Sequence, residues 1–136
     1  MMNVNFFSFV EILRLLLAKK PKDKQFRVVG MSSIASKIAY SSNSMYAATK
    51  GALDTFVRII SRELNSYHVE INTVQPAFVD TPMLSYLKDF WGSDFDNFIK
   101  DFQPLGLILV EQIRFLLKKH STKVSGTSIF INAGRN

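Results

Sequence analysis

A chain of 136 residues with 47% hydrophobic content and a net charge of +6 is sized for one domain and too apolar for a disordered segment; it can bury roughly two-thirds of its unfolded surface. The absence of cysteine excludes disulfides, thiolate metal sites and cysteine nucleophiles, and His68 and His120 stand isolated without ligand spacing, so no metal is expected. The basic residues gather at Lys19, Lys20, Lys22, Lys24 and Arg27, which reads as a solvated loop behind a helix C-terminus; with no interleaved aromatic pattern, no nucleic-acid partner is expected.

The apolar start lacks a basic leader and a small-residue cleavage site, and Glu11 and Arg14 interrupt it short of a membrane span. A cytoplasmic protein without a membrane partner is expected. From Val4 to Lys20 the pattern predicts a helix. Asn5, Ser8, Glu11 and Arg14 form a narrow polar stripe, and the remaining circumference is apolar, which predicts cover on more than one side. Phe26 to Met31 reads as a buried strand, followed by a serine-rich loop from Ser32 to Ser44. A second helix is predicted from Met45 to about Leu64, where Tyr46, Lys50, Leu53, Val57, Ile60 and Leu64 share one face.

Val69 to Val74 alternates and is β-branched, so it predicts a strand that Pro76 stops. Thr81 to Phe102 is irregular, with short helices possible in its pattern, and carries Tyr86, Phe90, Trp91, Phe95, Phe98 and Phe102. A third helix is expected over Val110 to Lys119, and Gly126 introduces a last strand, Thr127 to Ile131. Alternating helices and strands argue for a parallel sheet flanked by helices. No internal repeat and no flexible linker interrupts the order.

The chemistry gathers at Ser33, Tyr46 and Lys50. Tyr46 and Lys50 are four residues apart, so a helix stacks them one above the other. An ammonium so placed stabilises a phenolate and makes the phenol a better acid near neutral pH. Ser33, at the end of the preceding strand, offers a hydroxyl to the same substrate oxygen. Alone, a Tyr-x-x-x-Lys pair is a weak signal; the strand before it and the strand ending in Pro76 after it strengthen the reading.

In that order the motifs resemble the short-chain dehydrogenase/reductase family. Val4-Asn5-Phe6-Phe7-Ser8, Gly30-Met31-Ser32-Ser33-Ile34-Ala35, Tyr46-Ala47-Ala48-Thr49-Lys50-Gly51-Ala52-Leu53 and the segment from Asn72 to Thr81 are similar to successive family motifs, and Pro104-Leu105-Gly106 and Ser125-Gly126 sit where the family has counterparts. The resemblance covers nearly all 136 residues but only the C-terminal half of the family's domain. It implies an α/β fold, a partial Rossmann-like doubly wound parallel sheet of three C-terminal strands, with residues 1–136 a single catalytic half and the N-terminal nucleotide-binding half absent. None of the six glycines makes a glycine-rich loop ahead of Ser33.

The resemblance also implies roles. Tyr46 would be the general acid/base, Lys50 its activator and a ligand of the nicotinamide ribose, Ser33 the group orienting the substrate oxygen, and Asn5 the holder of a relay water. Tyr46, Lys50, Pro76, Val79 and Thr81 would contact NAD or NADP, with weak binding expected in the absence of the other half. The substrate would be a small carbonyl or alcohol, and homo-oligomers would form through helices 4–20 and 45–64. Ala77 in place of a common glycine, and Asn132-Ala133-Gly134 in place of an acidic-glycine ending, depart from the pattern. Plainer readings stand beside these roles. Asn5 also reads as a member of the polar stripe alone, Ser33 and Thr81 also read as caps, and the aromatics of 86–102 read equally as core or substrate lid. A truncated, non-catalytic homologue acting by self-association, or by pairing with a separate N-terminal half, is the alternative function.

Overall fold

The computed structural model describes residues 1–108, 114–118 and 123–135. A π-helical turn, Asn3–Phe7, opens into helix α1, Ser8–Lys19. Strand β1 is Phe26–Met31, helix α2 is Ser44–Leu64, and strand β2 is Val69–Pro76. Two short helices follow, α3, Ser85–Trp91, and α4, Phe95–Phe102, and strand β3 is Ser128–Ile131. The three strands form one parallel sheet in the order β1-β2-β3. Predicted and observed elements therefore agree in kind and order up to Phe102. Half of the helix expected over 110–119 lies outside the described residues, and the described half, 114–118, holds a 3-10 turn at Phe115–Leu117; His120 also lies outside them.

Strand β2 runs two residues past the predicted end. Pro76 has no N–H to donate, but it pairs with Ile131, whose carbonyl accepts from the N–H of Ala77. Across the β1–β2 pair, Arg27 faces Glu70, and their side chains form a 2.8 Å ion pair that is largely shielded from solvent. The other Glu70 oxygen accepts from the N–H of Lys123, tying the approach to β3 onto the sheet.

The core lies between this sheet and the two long helices. Leu13 of α1, Leu53, Val57 and Leu64 of α2, and Val69 and Ile71 of β2 form its buried centre, with Phe9, Phe26 and Val28 packed around them. Fully burying each such side chain contributes about 1.5–3 kcal/mol. Gly30 leaves room for the Phe9 ring, which would stand 3.3 Å from a β-carbon there. The period of two puts Val69, Ile71, Thr73 and Gln75 on the α2 side of β2, so this face turns from apolar to polar toward its C-terminal end.

Helix α1 departs from expectation. Only Leu13 is buried, while Ile12, Leu15 and Leu16 are each about half exposed. The sheet and α2 cover one side of this helix, and nothing among the described residues covers the other.

Candidate active site

The C-terminal ends of β1 and β2 carry the polar groups. Beyond Met31 the chain turns through Ser32 and Ser33 into a 3-10 turn, Ile34–Ser36, inside the predicted loop. Ser33 caps that turn: its Oγ accepts from the N–H of Ala35 at 3.2 Å. The cap uses the oxygen as an acceptor and leaves the hydroxyl proton for another partner. Ser32 is buried and its hydroxyl reaches the Lys50 carbonyl at 3.3 Å, which holds the serine turn against α2.

Tyr46 and Lys50 project together from the first turns of α2. The Lys50 ammonium stands 5.6 Å from the centre of the Tyr46 ring and donates to the Met31 carbonyl at 2.7 Å. That bond anchors the amine at the end of β1 and uses one of its three donors. Burial lowers the Lys50 pKa from the ordinary lysine value, and the Asp54 charge opposes that shift.

Asn5 joins this group through α2. Its side-chain amide donates to Thr49 Oγ1 at 3.1 Å, and the Thr49 hydroxyl donates to the Tyr46 carbonyl at 2.7 Å. Thr49 is fully buried, so Asn5 is not merely a member of the exposed stripe on α1. It lies in the π-helical turn, a local widening of the helix that is frequent at functional sites.

The segment after β2 supplies the remaining candidates. Pro76 is buried at the end of the strand. Val79 forms an isolated parallel bridge with Ile108. Thr81 occupies the N-cap position of a 3-10 turn with Pro82 behind it, but its side chain makes no capping bond. The structure thus ties Asn5 through Thr49 to the backbone of Tyr46, ties Lys50 to Met31 and Ser32 at the strand end next to Ser33, and places Pro76, Val79 and Thr81 in sequence along the strand exit.

Four polar residues that the pattern reading did not single out hold this region together. Gln103 is wholly buried, and its amide accepts from the N–H of Phe78 while donating to the carbonyls of Phe78 and Gly106 at 3.1 and 3.0 Å. It straps the strand exit to the end of α4. Asp54, Thr73 and Gln75 form a second buried group beneath the serine turn.

The aromatic segment divides between core and surface. Phe95 and Ile99 of α4 are buried with Leu84, and Phe78 and Phe98 pack on them. Tyr86 and Phe90 are largely exposed. Tyr40 stacks on Phe102, and its buried hydroxyl has no hydrogen-bond partner among the described residues. Burial raises the pKa of that phenol, with Arg135 opposing. A separate cavity of about 670 Å³ opens at the opposite end of the sheet, lined by Asp23, His68, Glu70 and Lys123 among others. No cluster of three or more metal-binding side chains occurs among the described residues, and no helix among them is long and apolar enough to cross a membrane.

Comparison with known proteins gives a consistent picture. Residues 1–90 match the short chain dehydrogenase family. L-xylulose reductase of Bos taurus is 32% identical over 79% of this chain and 45% of that enzyme. The 3-oxoacyl-(acyl-carrier-protein) reductase FabG of Pseudomonas aeruginosa is 26% identical over 97% of this chain and 54% of its own length. Among solved structures, 4-hydroxyisoleucine dehydrogenase complexed with NADH superposes with a TM-score of 0.84 at 20% identity, over 98% of this chain and 56% of that one. L-sorbose reductase from Gluconobacter frateurii, complexed with NADPH and L-sorbose, gives 0.82 at 18% identity, with the same two coverages. The chain spans about half the length of the curated relatives it matches.

Proposed function

The chain belongs to the short chain dehydrogenase family, and from that premise we propose that it is the catalytic half of an NAD(P)-linked oxidoreductase interconverting a small carbonyl and its alcohol. One observation carries the reading. The Lys50 amine is held over the Tyr46 ring by the Met31 carbonyl, beside the turn that bears Ser33.

In this reading Tyr46 donates a proton to the carbonyl oxygen during reduction and removes one from the alcohol in the reverse direction. Ser33 donates its hydroxyl to the same oxygen and fixes its direction. Lys50 stabilises the phenolate, and its remaining donors suit a ribose diol. Asn5 spends its amide N–H on Thr49, which leaves its side-chain oxygen for a relay water.

A nicotinamide dinucleotide fits the chemistry of these groups. Lys50 keeps two donors beyond the one given to Met31, and the Thr81 hydroxyl is not consumed by its cap position. Tyr46, Lys50, Pro76, Val79 and Thr81 would hold the nicotinamide end, and the relatives include structures complexed with NADH and with NADPH. The nicotinamide supplies or takes up the hydride when bound. The test is carbonyl-dependent oxidation of NADH and NADPH, assayed with the chain alone and mixed with a glycine-rich dinucleotide-binding half. Turnover in either supports the reading, and turnover in neither, with dinucleotide shown to be bound, removes it.

A second reading, association without turnover, is favoured by the exposed apolar face of α1. Ile12, Leu15 and Leu16, with Phe7 and Val4 on the preceding turn and Ile59 on α2, offer a surface suited to a second copy of the chain. We expect analytical sedimentation to return a dimer or larger species. A monomer at all accessible concentrations would dispose of homo-oligomerisation through these helices.

A further inference from the structure

Asp54 lies one turn beyond Lys50 on α2, and it is only 8% exposed. A carboxylate at such a site needs donors to offset the loss of water. It has them. The Thr73 hydroxyl donates to Oδ1 and the Gln75 amide to Oδ2, each at 2.7 Å. Thr73 also stands 2.8 Å from Ser128 Oγ, whose own hydroxyl proton can complete the set, since Thr73 has only one to give.

The network continues toward the site. The second Gln75 N–H donates to Ser36 Oγ at 2.9 Å, and the Ser36 hydroxyl donates to the Ser33 carbonyl at 2.9 Å. Proton directions agree throughout: amide to hydroxyl to carbonyl on one branch, amide to carboxylate on the other. Gln75 and Thr73 are both buried to within 2%, so their bonds to Asp54 are shielded from competing water.

We propose that Asp54 is a positioning residue for the Ser33, Tyr46 and Lys50 group, clamping β2 to α2 and, through Gln75 and Ser36, setting the turn that carries Ser33. The proposal rests on the reading of those three residues as the reacting group. Asp54 has a second effect there, because its negative charge favours the protonated form of Lys50 against the cost of burial. The other groups beside the Lys50 ammonium are the Tyr46 ring on the same helix and, from β1, the neutral Met31 carbonyl.

The test needs no turnover. In protein with 13C-labelled lysine side chains, the Lys50 signal is followed against pH while amide exchange is measured at Ala35, whose N–H is held by Ser33 Oγ. Asp54→Asn should move the Lys50 midpoint to lower pH. Gln75→Met keeps the carboxylate, so the midpoint should stay in place while Ala35 exchanges about tenfold faster, the effect of losing one hydrogen bond's stabilisation. Ser36→Ala, at a partly exposed position, should speed Ala35 exchange similarly, and it decides the matter if the buried variants do not fold. An unmoved midpoint in folded Asp54→Asn, or unchanged Ala35 exchange in Ser36→Ala, would overturn the proposal. Absent dinucleotide turnover alongside a moved Lys50 midpoint would instead count against the functional reading, so the two failures are distinct.

Discussion

Tyr46→Phe will lower carbonyl-dependent dinucleotide oxidation by about 10²- to 10⁴-fold, the usual contribution of a positioned general acid. The substitution is narrow. The ring over which Lys50 stands at 5.6 Å remains, and so do the Lys50 bond to Met31 and the Thr49 bond to the backbone of residue 46. Only the phenolic hydroxyl is removed. The loss should therefore appear chiefly in kcat, with dinucleotide affinity reduced far less because Lys50, Pro76, Val79 and Thr81 remain, since a group acting on the reacting oxygen contributes in the transition state. Steady-state kinetics with titrating calorimetry separates the two quantities. Equal turnover in the wild type and the variant would mean that Tyr46 is not the proton donor.

Gly126→Ala should be among the most destabilising single changes in the chain, costing about 3 kcal/mol and lowering the melting temperature by on the order of 10 °C. Two causes add. Gly126 has φ of +75°, where a side chain is strained, and a β-carbon there would stand 2.3 Å from Ser61 Oγ and 3.2 Å from Ser61 Cβ. Ser61 is buried and donates to the Arg58 carbonyl, so it has little room to move. The site also matters for β3. The N–H of Gly126 donates to the Ile71 carbonyl, the N–H of Ile71 to Ser125 Oγ, and Asn72 bonds both Val124 and Thr127. Adding Ser61→Ala removes the close contact with Oγ but keeps the 3.2 Å contact with Cβ, so it should recover most of the contact part of the loss and none of the backbone part. A melt of Gly126→Ala indistinguishable from wild type would refute this account.

The strands and α2 were legible because their side chains repeat with the period of the element they form. Val69 to Val74 alternates, and Leu53, Val57 and Leu64 return on one helical face, so burial follows from spacing. The closeness of Tyr46 and Lys50 followed from the same geometry. The π-helical turn at Asn3–Phe7 was not legible, since a shift in backbone hydrogen bonding leaves the side-chain pattern almost unaltered. Neither was the support beneath the site. Asp54, Thr73, Gln75 and Gln103 each look like surface residues by composition, and apart from Gly106 beside Gln103 their partners lie 19 to 55 positions away. The open face of α1 misled for the opposite reason: apolar periodicity records which surface avoids water, not what covers it.

The change in character along the α2 face of β2 gives the two ends of that helix different tolerances. At Leu53 to Leu64 it is held by non-directional packing, which accepts side chains of similar volume. At Tyr46 to Asp54 it is held by directional bonds that fail when one partner is lost or misaligned. Volume-conserving apolar exchanges can therefore accumulate in the lower half at modest cost, Ser61 excepted, whereas the upper half is brittle, and warming should disable it before the globule as a whole comes apart.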